Sequence, residues 1–163
     1  MVGTPVKFHK QIEFNGDLET VADMLANRDF REQVAQAAGA STWEISVVDE
    51  GGQTVATVDT KQPSTGMPAV VRKVIGDEFE ISQVERWTSR DSGTLEVSIP
   101  GKPGSITGTV RLTEAGGVTT QTVDAQITVK MPLVGGKVEQ MIARVLGGIL
   151  KLQAREGNQW LSR

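Results

Sequence analysis

Three ionisable side chains fall where the pattern of neighbours turns them inward, and acid–base chemistry is what such groups could do. Glu85 shares a strand face with Phe79, Ile81, Gln83 and Trp87. If that face is inward, Gln83 and Glu85 are the polar groups of an otherwise apolar cavity. A bulge near Ser82 would instead bring Val84 inside and leave both on the surface. Lys10 keeps register with Phe8 and Ile12. It either snorkels out at the sheet edge, follows a bulge, or meets a ligand carboxylate. Glu156 projects from the apolar stripe of a long helix, where a carboxylate is costly unless paired or wet. Either the helix has run past the sheet there, or Glu156 belongs to a pocket. Proton transfer needs such a group within hydrogen-bond reach of a bound molecule. No residue is assigned a catalytic role on this pattern, and Glu85, Lys10 and Glu156 are the candidates.

Other chemistries lack their residues. The 163-residue chain has no cysteine and a single histidine, His9, so thiol chemistry, cysteine-ligated metals and multi-histidine sites are excluded. His9 alternates with Phe8 and is expected on the solvent face. The carboxylates show no metal-ligand spacing, so no metal or cofactor is expected. A net charge of -3 argues against nucleic acid as a partner. No apolar run approaches the roughly 20 residues of a membrane span. Gly101-Lys102-Pro103-Gly104 joins two strands and opens no helix, unlike a phosphate loop. Gly135-Gly136-Lys137 does precede a helix, and there an entry turn accounts for the glycines. The N-terminal residues lack the apolar core of a secretory signal, which makes the cytoplasm the expected location.

The elements that must position these residues are legible in the hydrophobic period. Val6, Phe8, Ile12 and Phe14 mark a strand, after which Asp17 caps a short helix with Leu18, Val21, Ala22 and Leu25 inside. Asn27 ends it. Asp29 with Glu32 forms a capping box for a second short helix bearing Phe30, Val34, Ala37 and Ala38, closed by Gly39. From Ser41 the period becomes two, with strands over 41–50, 53–60, 78–88, 93–99, 105–113 and 118–131. A flap interrupts them between Pro63 and Gly76, with Pro68 opening a helix whose apolar face is Val70, Val71, Val74 and Ile75.

The last helix opens at Pro132-Leu133-Val134 and runs to about Trp160. Its stripe is Val134, Met141, Ile142, Val145, Ile149, Leu152 and Trp160. Lys137, Arg144, Lys151 and Arg155 form a basic flank too sparse to hold a membrane surface. Gly147-Gly148 breaks the pattern at about 1 kcal/mol per glycine. Either something packs close to the backbone there, the favoured account, or the helix bends.

This order resembles the helix-grip fold of the START/SRPBCC (pollen-allergen-like) superfamily: one strand, two short helices, six strands with a flap, one long helix. It is most similar to a bacterial domain-of-unknown-function family within that superfamily. The likeness rests on Phe14, Asp17, Met24-Leu25 and Phe30; on Glu85-Arg86-Trp87; on Ile99-Pro100-Gly101-Lys102-Pro103-Gly104; and on Pro132 through Glu139. It spans essentially the whole chain, read as a single domain over 1–163. The resemblance implies an α+β fold, with a curved antiparallel sheet of about seven strands wrapped around the C-terminal helix. It also implies a cavity between them for a lipid, sterol-like or polyketide-like molecule. Inward register nominates Phe14, Ile81, Gln83, Glu85, Val97, Val110, Ile127, Met141, Val145 and Ile149 as its lining. The first expectation is a non-enzymatic carrier of a small hydrophobic ligand, without membrane insertion. The alternatives are an acid–base enzyme of the polyketide cyclase or dehydratase kind, and an interaction module with a filled core.

Overall fold

Alternation along Val6–Phe14 buries Phe8, Ile12 and Phe14 and exposes Lys7, His9 and Glu13 in strand β1 (Val6–Phe14). Here and below, the structure is a computed structural model that describes residues 5–102, 104–130 and 135–163. Asp17 caps helix α1 (Leu18–Leu25) by accepting the Thr20 N–H at 2.7 Å. Helix α2 (Arg28–Ala37) begins one step earlier than the capping-box pattern implies. Its cap is Asn27, whose side-chain oxygen accepts the N–H groups of Asp29 and Phe30. That satisfies two otherwise orphaned donors, while Glu32 pairs with Arg28 one turn back at 2.9 Å.

The remaining strands are β2 (Thr42–Glu50), β3 (Gln53–Pro63), β4 (Glu78–Trp87), β5 (Ser92–Ser98), β6 (Gly104–Ala115) and β7 (Val118–Val129). Helix α3 (Ala69–Ile75) interrupts them after β3, and α4 (Gly135–Leu161) follows the last. Together they build one seven-stranded sheet, in the order β1-β7-β6-β5-β4-β3-β2, antiparallel throughout. It is an open helix-grip sheet curved about α4. Pairing is unbroken along β1, so Lys10 sits opposite Val123 on the inner face with no bulge. It is equally unbroken through Ser82, which sets Gln83 opposite Val58 and Glu85 opposite Ala56. The inward alternative for β4 is the one realised. Gly108 lies at the centre of β6, where an added Cβ would stand 2.1 Å from the Asp124 carbonyl oxygen. Only a residue without a side chain lets β7 approach so closely.

Helix α4 packs differently from its hydropathy. Its buried residues include Leu146, Leu150, Gln153 and Gly157, roughly a quarter-turn from the apolar stripe at about 100° per residue, with Val138 and Glu156 buried on the stripe itself. The stripe residues Met141, Ile142, Val145 and Ile149 are only half-buried. The close-contact account of Gly147-Gly148 does not hold. A Cβ at Gly148 would meet nothing within 4 Å, and one at Gly147 only the Phe8 ring at 4.0 Å. The tightest glycine of α4 is Gly157, whose Cβ would lie 2.4 Å from the Phe14 ring.

The helix entry is pinned to the sheet. Glu139 is buried and accepts the Val129 N–H at 2.8 Å. Expectations at Met131, Pro132, Leu133, Val134 and Pro103 lie outside the described residues, as does the side chain of Val74.

Candidate functional site

Between the sheet and α4 lies an apolar cavity of about 80 Å³. Its roof is the flap, through Met67, Val71 and Ile75; its walls include Phe79, Ile81, Val97 and Ile106; its floor is Met141, Val145 and Ile149. The stripe of α4 that leaves the packed face therefore fronts this space. The flap is closed at its base by Ser64, fully buried, whose hydroxyl donates to the Gly76 carbonyl and whose N–H donates to that of Asp77. Gly76 adopts φ 85, a left-handed conformation that ends α3 sharply.

Two smaller spaces continue inward. One of about 50 Å³ opens beside α2, among Arg31, Val34, Val58, Ile81 and Gln153. The other, about 10 Å³, reaches Glu85, Val110, Gln121 and Leu150. Gln83 and Ile149 border all three. Roomier depressions of about 180 and 340 Å³ lie away from the grip, one under α1 and one among Thr42, Glu44, Asp59, Lys61 and Glu80.

The deep end is polar and tightly bonded. Arg31 meets Glu85 fork to fork at 2.8 and 2.9 Å, with both side chains at most 4% exposed. Trp87 Nε1 donates to one Glu85 oxygen at 3.0 Å, and Gln83 Nε2 to the other at 2.7 Å. Arg31 Nε donates to the Leu25 carbonyl at 2.7 Å. Burial alone would push the Glu85 carboxyl up. The Arg31 charge, its hydrogen bonds and those of Trp87 and Gln83 outweigh burial and hold it below the ordinary carboxylate range. Beside this cluster, Gln153 Nε2 donates to Gln121 Oε1 at 3.0 Å, both side chains buried.

The chain matches, over residues 10–161, a family described as a protein of unknown function, DUF2505. This chain belongs to the DUF2505 family. The Mycobacterium tuberculosis protein Rv0481c, described as an uncharacterized protein, is 26% identical over 70% of this chain and 68% of that one. Among solved structures, the Zhui aromatase/cyclase of a Streptomyces species covers 98% of this chain and 95% of its own, at 12% identity and TM-score 0.62. Norcoclaurine synthase from Thalictrum flavum covers 98% and 88%, at 12% identity and TM-score 0.63. Ara h 8.0201 covers 98% and 100%, at 16% identity and TM-score 0.62. At these identities the likeness shows the fold, and the fold does not choose a function.

Of the lining expected from sequence, the DUF2505 chain brings Ile81, Gln83, Val97, Met141, Val145 and Ile149 onto the main cavity. Glu85 and Val110 border the innermost space. Phe14 and Ile127 line none of these three spaces: both are wholly buried core, Phe14 being pressed on Gly157 and Met24 as α4 passes. Of the two alternatives for Glu156, the exposed one is not realised, since the helix has not run past its neighbours. It is buried, accepting from Gln33 of α2 and from Arg155, each at 3.2 Å. Nearby, Phe30 and Trp160 stack edge to face at 5.6 Å. Lys10 is half-buried and does not line the main cavity. His9 is exposed and bonds Asp124 on the outer face.

The sequence reading missed Arg31 and the Gln121–Gln153 pair. A signal for Arg31 existed: it precedes Val34 and Ala35 by three and four residues, on the apolar face of α2. Among the described residues, no three His, Asp or Glu side chains gather as a metal site. No helix there is long and apolar enough to cross a membrane.

Proposed function

We propose that this chain binds a small hydrophobic molecule between its sheet and α4, loads it beneath α3, and carries it without transforming it. One observation carries the reading: the cavity is lined almost wholly by apolar side chains, while the inward carboxylate beside it is fully occupied. Glu85 accepts four hydrogen bonds, from Arg31 twice, Trp87 and Gln83. A general base needs a free lone pair and a pKa near the working pH, and Glu85 offers neither. Glu156 is held by Gln33 and Arg155. Among the described residues, the cyclase or dehydratase alternative therefore finds neither inward carboxylate free to carry a proton beside the cavity.

At about 80 Å³ the space is smaller than the roughly 150 Å³ cavity that accepts benzene. On this reading α3 lifts to admit the ligand, and the closed arrangement is one member of an open–closed pair. Fluorescence titration with anilinonaphthalene sulfonate tests this, alongside native mass spectrometry of protein purified from its own host. Saturable one-to-one uptake, abolished by Val145→Trp at the cavity floor, supports carriage. Uptake unchanged in that variant, with no co-purified molecule, would sink it.

A further inference from the structure

We propose that the ligand carries a hydroxyl group on an apolar body and is received head first, donating that O–H to Oε1 of Gln83. The inference rests on the carrier reading and adds the chemistry of the ligand's polar end. Gln83 is half-buried on the inner face and borders the main cavity and both inward spaces. Its amide orientation is dictated by its neighbour. The group 2.7 Å from Glu85 Oε2 must be the NH₂, because a carboxylate ionised against Arg31 only accepts. The carbonyl end is thereby left over. No side-chain donor is found on it among the described residues, and the half-buried Gln83 side chain borders the main cavity and both inward spaces, so we take this oxygen as the acceptor offered to a ligand there.

Three consequences follow from that orientation. Donating N–H to an anion polarises the amide and makes its oxygen a stronger acceptor. A ligand without a donor would strip this oxygen of water and return nothing, at the cost of an unsatisfied polar group. A carboxylate head would set acceptor against acceptor, so alcohols and phenols are selected over acids and hydrocarbons. The Gln121–Gln153 pair cannot impose such a choice, since two facing amides can both flip and exchange roles. Beyond Gln83 the lining is Val97, Ile106, Met141, Val145 and Met67, which suits an apolar body pointing toward α3.

The experiment uses naphthol, methylnaphthalene and naphthoate, three probes on one naphthalene frame, displacing anilinonaphthalene sulfonate from the intact chain. The ratio of naphthol to methylnaphthalene affinity should fall about three- to tenfold in Gln83→Met, with methylnaphthalene affinity held or improved. In the wild-type protein, nuclear Overhauser contacts should place the hydroxyl-bearing ring edge beside Gln83, which keeps the test independent of how the variant folds. An unchanged ratio, naphthoate as the tightest probe, or the hydroxyl edge lying at Met67 and Val71 would overturn the inference and leave the carrier reading standing. Failure of all three probes to displace, with no saturable uptake of the reporter, would overturn both.

Discussion

Arg31 of α2 and Glu85 of β4 face each other across the interior as a two-pronged ion pair, at 2.8 and 2.9 Å and out of contact with water. Every oxygen position on Glu85 is used, and the pair ties a short helix to the middle of the sheet. Burying two charges costs several kcal/mol per ion, which their attraction offsets only in such geometry. The cluster is thus a structural joint that also orients the amide of Gln83 at the cavity wall.

Glu85→Gln or Arg31→Met alone should cost about 3–5 kcal/mol, since each leaves a buried partner uncompensated. The double substitution Arg31→Met with Glu85→Met should cost much less than the sum of the two. Urea unfolding of the four proteins measures this, and strict additivity would mean that the pair is not coupled. Uptake of an apolar probe should survive in the double variant.

The pH dependence follows from the direction of the Glu85 shift. Its carboxyl is held below the ordinary 4.5 in the fold, so between the two values the unfolded chain binds more protons. Stability from this group is complete above 4.5 and is lost as pH falls through the lower, folded value. Urea midpoints should therefore show no loss from Glu85 between neutrality and mild acid, and a decline below it. The gap between wild type and Glu85→Gln should narrow in strong acid. A gap that widens on acidification would reverse the assigned sign.

Two glycines of α4 should respond oppositely to alanine. Gly148→Ala adds a methyl to open space and should stabilise by up to about 1 kcal/mol through helix propensity. Gly157→Ala drives a methyl into the Phe14 ring and against Met24. Phe14 is completely buried, so the overpacking cost of about 1–3 kcal/mol should exceed the propensity gain. Thermal melts of the two variants check this, and equal signs would contradict the packing described.

Much of this architecture is legible from period alone, because a strand with one wet face writes its register into the sequence. That is why β5, β6 and β7 put their alternating Val, Ile and Leu residues inside. Hydropathy misleads on α4 because its most apolar stripe fronts a cavity, whereas its packed face includes Gln153 and Gly157, which score as neither core nor contact. Glu156 deceives for a related reason: the partner that keeps it buried is Gln33, from an element over a hundred residues earlier. Arg31 hides among Arg28, Asp29 and Glu32 at the start of a polar-looking helix. An inward Glu85 demands a cation, and Arg31 is the basic residue that α2 turns to the core, but that demand is visible only once the register of β4 is settled.

The flap yields the last prediction. The flap covers the cavity with Met67 and, from α3, Val71 and Ile75, yet α3 is a short helix, and Ser64 fastens its base. The Ser64 hydroxyl holds the Gly76 carbonyl at 2.5 Å, and its N–H holds that of Asp77 at 2.9 Å. Short elements with few anchoring contacts open at lower free energy than paired strands. Amide exchange in 69–75 should accordingly be faster than in the centre of β4, and slower once an apolar probe fills the cavity. Ser64→Ala removes one of the two fastenings and leaves the Gly76 carbonyl without its partner. At about 1 kcal/mol per hydrogen bond, exchange in α3 should accelerate roughly fivefold, with β4 unaffected and probe uptake faster. Protection of α3 equal to that of β4, unaltered by Ser64→Ala, would make the flap a fixed wall. The cavity would then have to fill from the α2 side, between Val34, Val58 and Gln153.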